Sequence, residues 1–140
     1  MFSKKDRIQY ANLNAKQKET YNFQKFSSIL ADYGFATLKL NDDWNGADFI
    51  AQHINGENYL KIQLKGRLTF DKKYIGKHIY VCFREDNDYY LYNHDSLLDL
   101  FLKEFNDTMA KSDSWMVSGV YSFPYLSKRL KILLNEFMLN

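Results

Sequence analysis

Asp48, Gln63 and Lys65 are polar residues that a hairpin would bring together. Asn55-Gly56 is the strongest short hairpin signal in the chain, and it separates two runs of strand character, Ala47 to Ile54 and Tyr59 to Arg67. As a two-residue turn it pairs Ile54 with Glu57, so that paired positions sum to 111 and Asp48 faces Gln63. A four-residue turn makes the sum 113 and sets Asp48 opposite Lys65. In both registers the three share one face of an antiparallel pair, within roughly 4.5–8 Å at the backbone. A carboxylate, an amide oxygen and a backbone carbonyl, that of Leu64, are hard oxygen donors of the kind that hold Mg²⁺ alongside retained waters. Such a cation acts as a Lewis acid on phosphate and acidifies its water, and a neighbouring lysine steadies developing negative charge. Phosphodiester hydrolysis needs little more. The alternative is the ordinary polar outer face of a strand, with Asp48 capping a turn after Gly46.

The elements that position these residues are readable from periodicity. Asn14 and Gln17 form a capping pair. Glu19, Phe23, Phe26, Leu30 and Tyr33 then recur along one face of a helix over about 15–33, which Gly34 stops. Glu19 opens that apolar stripe, so it points toward the sheet side, either as a second metal ligand or as an acid favourable to a first helical turn. Phe35 to Leu40 is a short strand and 41–46 a loop. Between Tyr59 and Arg67, Leu60, Ile62 and Leu64 alternate with Lys61, Gln63, Lys65 and Arg67. Leu68 to Lys77 reads as a basic, irregular segment. His78 to Phe83 and Tyr89 to Tyr92 are strands, and Asn93 or Asp95 caps a helix bearing Leu97, Leu98, Phe101 and Phe105. Residues 106–121 are ambiguous. Ser122 and Pro124 open a last helix through Leu126, Leu130, Leu133, Leu134 and Phe137. The fold class is α/β (α+β), with a central sheet covered by helices.

Gly46-Ala47-Asp48-Phe49-Ile50, followed by Leu60-Lys61-Ile62-Gln63-Leu64-Lys65-Gly66, resembles the PD-(D/E)xK nuclease superfamily over about residues 15–92. The resemblance implies a restriction endonuclease-like core: a helix, an antiparallel three-strand meander, a crossover helix and a further strand. The acid sits at the start of the second strand and the (E/D/Q)-x-K on the third, and the 14 residues between Asp48 and Gln63 fit that pattern. The helix often supplies a glutamate, a role matched by Glu19. By this resemblance Asp48, Gln63, Lys65 and Glu19 are the catalytic set. Asp48, Gln63, the Leu64 carbonyl and Glu19 would hold Mg²⁺ or Mn²⁺, and the substrate is nucleic acid, DNA in the first place. Ala47 stands where the motif has proline. Gln63 replaces the usual glutamate, a form similar to that of modified-DNA (type IV) restriction endonucleases, and it removes one negative charge from the metal site. Leu68 to Gly76, rich in β-branched and aromatic residues, would make at best a short crossover helix.

Arg67, Lys72, Lys73 and Lys77 follow the motif and are expected to hold phosphates flanking the scissile one. Tyr74 either stacks on a base or packs locally, and Trp44 either contacts substrate or covers the core. Lys128, Arg129 and Lys131 on the final helix either add backbone contacts or form a solvated helical face. Residues 60–84 hold seven basic side chains and one acid, whereas 85–113 hold eight acids and two lysines. A basic block beside an acidic one suits a polyanion partner on one face.

With 140 residues, 46% of them hydrophobic and 17% aromatic, the chain suits one domain with a real core. It divides into a core of about 15–92 and a helical part of about 95–140. No run of about 18 apolar residues predicts a membrane span, and no apolar stretch follows the charges of the N-terminus, so a cytoplasmic protein is expected. Cys82, in an apolar run, reads as a buried inert thiol. His53, His78 and His94 are scattered, which argues against structural zinc. Two other functions compete: a catalytically silent nuclease fold used as a nucleic-acid-binding or inhibitor module, and a protein-interaction domain using the acidic 85–113 face. Double-strand cleavage would call for a homodimer.

Overall fold

Asn14 starts the first helix with a reciprocal cap. Its Oδ1 accepts from the Gln17 N–H at 2.8 Å, and Gln17 Oε1 accepts from the Asn14 N–H at 2.9 Å. In the computed structural model, which describes residues 1–139, this helix, α1, spans Ala15–Ala31 and buries Asn22, Phe26 and Leu30 along one face. Tyr33 falls beyond the helix end and is half exposed, so the buried stripe closes at Leu30.

Gly34, at φ +85°, turns the chain into β1 (Phe35–Trp44). This strand is longer than the sequence predicts because residues 41–44 are drawn into a hairpin. Asn45 and Gly46 both have positive φ, 51° and 91°, the requirement of a two-residue type I′ turn, and Trp44 pairs with Ala47 across it. β2 (Ala47–His53) and β3 (Tyr59–Lys65) follow. Their connection is wider than a two-residue turn at Asn55-Gly56. The His53 N–H donates to the Asn58 carbonyl, and Asn55 Oδ1 accepts from the Glu57 and Asn58 N–H groups. The ladder nevertheless runs from Gln52 opposite Tyr59 to Phe49 opposite Ile62, the register that sums to 111.

The crossover carries no α-helix. Thr69–Asp71 forms a short strand, β4, and Lys72–Tyr74 a single 3₁₀ turn. Two buried side chains hold this segment. The Tyr92 hydroxyl donates to the Thr69 carbonyl and accepts from its N–H, while His94 Nε2 accepts from the Asp71 N–H at 3.0 Å. β5 (Ile79–Glu85) then pairs parallel with β3, and β6 (Asp88–Asn93) pairs antiparallel with β5. Asn93 caps α2 (His94–Glu104), its Oδ1 accepting from the Ser96 N–H.

The last third is less helical than its leucine spacing predicts. Ser122 is not a helix cap. It ends β7 (Val120–Ser122), which pairs with β4, and its hydroxyl lies 2.9 Å from that of Thr69. Ser127 caps the shorter α3 (Lys128–Leu134) instead, and β8 (Met138–Leu139) pairs with β6.

The main sheet has the order β1-β2-β3-β5-β6-β8, antiparallel except between β3 and β5. Helix, meander, crossover and parallel strand thus follow in the order that the nuclease resemblance implies. Alternation along β5 feeds two cores. Cys82 joins Phe26, Leu30, Phe49, Ala51 and Ile62 beneath α1. Val81 and Phe83 join Phe70, Tyr92, Leu97, Phe101, Leu130 and Leu134 beneath α2, α3 and the β4–β7 pair. Burial pushes the Cys82 thiol well above its ordinary pKa, so it stays protonated and unreactive. No helix among the described residues is long and apolar enough to cross a membrane.

Candidate active site

The site forms where β2 and β3 part. By the register of their ladder, Ala47 would face Leu64 and Asp48 would face Gln63, but pairing stops at Phe49 and Ile62. The Leu64 N–H that the ladder no longer uses donates to Asp48 Oδ2 at 2.9 Å. The gap left by the diverging strands is the floor of a cleft of about 560 Å³. Glu19, Asp48, Gln63, Leu64 and Lys65 line it together, with Tyr10, Lys18, Asn22 and Arg84 around them.

Burial and charge perturb the two central ionisable groups in opposite directions. Burial pushes the Asp48 carboxyl up, the Leu64 hydrogen bond offsets part of this, and the nearby Glu19 and Asp43 carboxylates add to it. Burial draws Lys65 down, reinforced by the like charge of Lys73, while Asp71 and Asp48 oppose the shift. The Lys65 ammonium sits 5.5 Å from the Tyr74 ring centroid and that of Lys73 5.2 Å from the same centroid. Tyr74 is buried and packs against Gly46, so it positions these lysines and offers no free face for a base. A second hollow on the other side of Asp48 is lined by Glu19, Asp42 and Asp43, with Lys16 and Lys39.

Glu19 is exposed at the cleft rather than directed into the core. It still lies close enough to Asp48 to disfavour that group's ionisation. The oxygen donors Asp48, Glu19, the Gln63 amide and the Leu64 carbonyl form a hard set, chemically suited to Mg²⁺ or Mn²⁺, and a cation there would relieve the repulsion between the two acids. Among the described residues no cluster of three His, Cys, Asp or Glu side chains is poised to hold a metal, so the set leans on its amide and carbonyl oxygens.

No protein-family model matches the sequence, and no curated protein matches it. One solved structure that resembles the chain is a Holliday junction resolvase, Hjc, from the archaeal hyperthermophile Archaeoglobus fulgidus. The likeness covers 56% of this chain and 74% of that one, at 17% identity and a TM-score of 0.44.

The basic residues expected to hold flanking phosphates stand apart from the cleft lining. Lys72 places its ammonium 5.1 Å from the Trp115 ring centroid, and Lys73 is 3.7 Å from the Asp71 carboxylate. Arg67 and Lys77 are exposed. Trp44 is 46% exposed and lies beneath the Lys61 ammonium. Lys128, Arg129 and Lys131 are exposed on α3, where Arg129 pairs with Glu104 at 3.1 Å. Sequence reasoning missed Tyr10, Lys18, Asn22 and Arg84. Arg84 entered only as one charge in a basic block, and nothing local to Tyr10 indicates that it meets a strand so distant in the chain.

Proposed function

We propose that this chain is a divalent-metal-dependent nuclease of the PD-(D/E)xK type, hydrolysing phosphodiester bonds of nucleic acid, DNA in the first place, in the cytoplasm. The observation that carries this reading is the convergence of Asp48, Glu19, Gln63 and Lys65 on one cleft, at the point where β2 leaves β3. Asp48 is held by the Leu64 N–H, which fixes its carboxylate without neutralising it. Asp48 and Glu19, with the Gln63 amide oxygen and the Leu64 carbonyl, would hold the cation. When bound, Mg²⁺ or Mn²⁺ supplies Lewis acidity toward a phosphate oxygen and acidifies its water. Lys65, steadied against Tyr74, presents its ammonium to the charge that develops on phosphorus-bound oxygens. Its lowered pKa also eases proton exchange with an attacking water.

The test is incubation of supercoiled plasmid, single-stranded DNA, branched DNA and RNA with the protein and Mg²⁺ or Mn²⁺. Lys65→Ala should slow cleavage by about 10²–10³-fold, as loss of one positioned charge-stabilising donor does elsewhere, and EDTA should abolish it. Cleavage at the wild-type rate by Lys65→Ala would overturn the mechanism.

One observation favours a second reading, a silent nuclease fold that only binds nucleic acid: no third acidic or imidazole side chain completes a metal cluster among the described residues. Calorimetry with Mn²⁺ separates the two. A site that vanishes in Asp48→Ala supports the nuclease. Nucleic-acid binding with no metal site and no cleavage of any substrate supports the silent module.

A further inference from the structure

One wall of the cleft is built from cations that have no carboxylate partner. Tyr10, in a 3₁₀ turn ahead of α1, lays its ring 3.7 Å from the Arg84 guanidinium carbon and 5.4 Å from the Lys18 ammonium. Neither cation is in an ion pair among the described residues. Arg84 also approaches the Tyr21 and Tyr89 rings, and Lys25 lies over Tyr21. Three like charges are thus gathered around a tyrosine pair whose centroids are 5.2 Å apart. Aromatic faces offset part of that repulsion, and an anion would offset more.

Two polar atoms on this wall are buried without a partner: Arg84 Nε and Asn22 Oδ1. Asn22 is only 7% exposed, lines the cleft, and donates through Nδ2 to the Tyr10 hydroxyl at 2.8 Å. The pair can reverse. If Asn22 turns about its last bond, the Tyr10 hydroxyl donates to Oδ1 and the amide N–H groups take the buried place that Oδ1 held. Arg84, Asn22 and Lys18 line one hollow together; Arg84 Nη2 donates to Asn87 Oδ1 at 3.4 Å while its Nε stays buried without an acceptor, which is costly. Arg84 stands at the end of β5, where the parallel ladder that pairs Lys65 with Phe83 brings it beside Gly66. The hollow is therefore continuous with the candidate active site.

We propose that Arg84, Lys18 and Asn22, organised by Tyr10, form a phosphate subsite that seats a backbone phosphate of the substrate strand next to the scissile one. This rests on the nuclease reading for what the neighbouring phosphate undergoes, but not for the binding itself. The subsite aligns the strand from the α1 side of the sheet, where Glu19 and Asp86 are the nearby acids that restrict it to one phosphate path.

Fluorescence anisotropy of a labelled single-stranded oligodeoxynucleotide, in EDTA so that no hydrolysis or metal intervenes, tests it across a salt series. Arg84→Gln should weaken binding about tenfold, the effect of losing a charge-assisted hydrogen bond. The slope of log affinity against log salt should shrink by about 0.7, one phosphate contact to a single strand. Lys18→Gln, on the α1 surface, should act in the same direction and carries the test if Arg84→Gln fails to melt cooperatively. Unchanged affinity and slope in the folded variants would overturn the proposal. Inorganic phosphate at constant ionic strength should displace the probe far less well than unlabelled oligonucleotide, and equal displacement would overturn a seat built for a strand. Weakened binding in Arg84→Gln with no cleavage by the wild type sinks the nuclease reading alone. Unchanged binding with intact cleavage sinks the subsite alone.

Discussion

The fold disfavours the charge on Asp48. Its carboxyl is raised above its ordinary value because the folded protein buries it and sets Glu19 beside it, while the Leu64 N–H compensates only in part. A group whose folded pKa exceeds its unfolded value stabilises the fold fully below the unfolded pKa, and loses that contribution as pH rises through the folded one. At neutral pH the ionised Asp48 therefore weakens the metal-free protein. Asp48→Asn keeps an oxygen to accept from Leu64 and removes the charge. Removing one unfavourable charge commonly gains about 0.5 kcal/mol or more, so Tm without metal should rise by about 2 °C near pH 7. The gain should shrink as pH falls toward the ordinary carboxylate range. Scanning calorimetry at two pH values checks both statements, and a variant less stable than wild type at neutral pH would show that Asp48 is a structural residue. The same variant should lose the calorimetric Mn²⁺ signal, because stability and metal binding make opposite demands on this side chain.

The elements around Asp48 are held by a turn that tolerates little change. Gly46 sits in the left-handed region at φ +91°, and a Cβ there would lie 3.0 Å from two carbons of the buried Tyr74 ring. Gly46→Ala should cost about 1–3 kcal/mol, from backbone strain together with the displaced ring. Tyr74 positions Lys65, so cleavage should fall more than stability alone explains. Denaturant melts beside single-turnover rates measure the two effects, and a variant of wild-type stability would refute the turn assignment. Much at this scale is legible in the sequence. The alternation of Leu60, Ile62 and Leu64 fixes which residues of β3 are polar, but the 111 and 113 registers keep it equally, and only the pairing of Gln52 with Tyr59 decides for 111. The Asn45-Gly46 turn is missed because Asn41-Asp42-Asp43-Trp44 has little strand propensity, and it pairs only once Gly46 closes the hairpin. β4 and β7 span three residues each and β8 two, too short to show any period. Ser122 resembles a cap because a serine before a proline does so locally, and only its pairing partner Thr69 shows otherwise. Arg84 and Tyr10 meet from distant parts of the chain, a contact that no local pattern encodes.

At the scale of the whole molecule, the single candidate active site described in each chain sets what the products can be. The parallel step from β3 to β5 brings the Lys65 and Arg84 ends of those strands to the same end of the sheet, so the proposed chemistry and the proposed phosphate seat share one opening. A single opening engages one strand of a duplex at a time, and two antiparallel strands are cut together only when a two-fold axis relates two openings. Product order should therefore follow oligomeric state. If light scattering gives the mass of one chain, supercoiled plasmid should pass almost wholly through nicked circles before linear DNA appears. If it gives twice that mass, linear product should arise early, and diluting the protein should restore the nicked intermediate as the pair dissociates. Linear DNA appearing without a nicked stage, from protein that scatters as one chain at the assay concentration, would contradict a single cleft and require a second active site elsewhere in the fold.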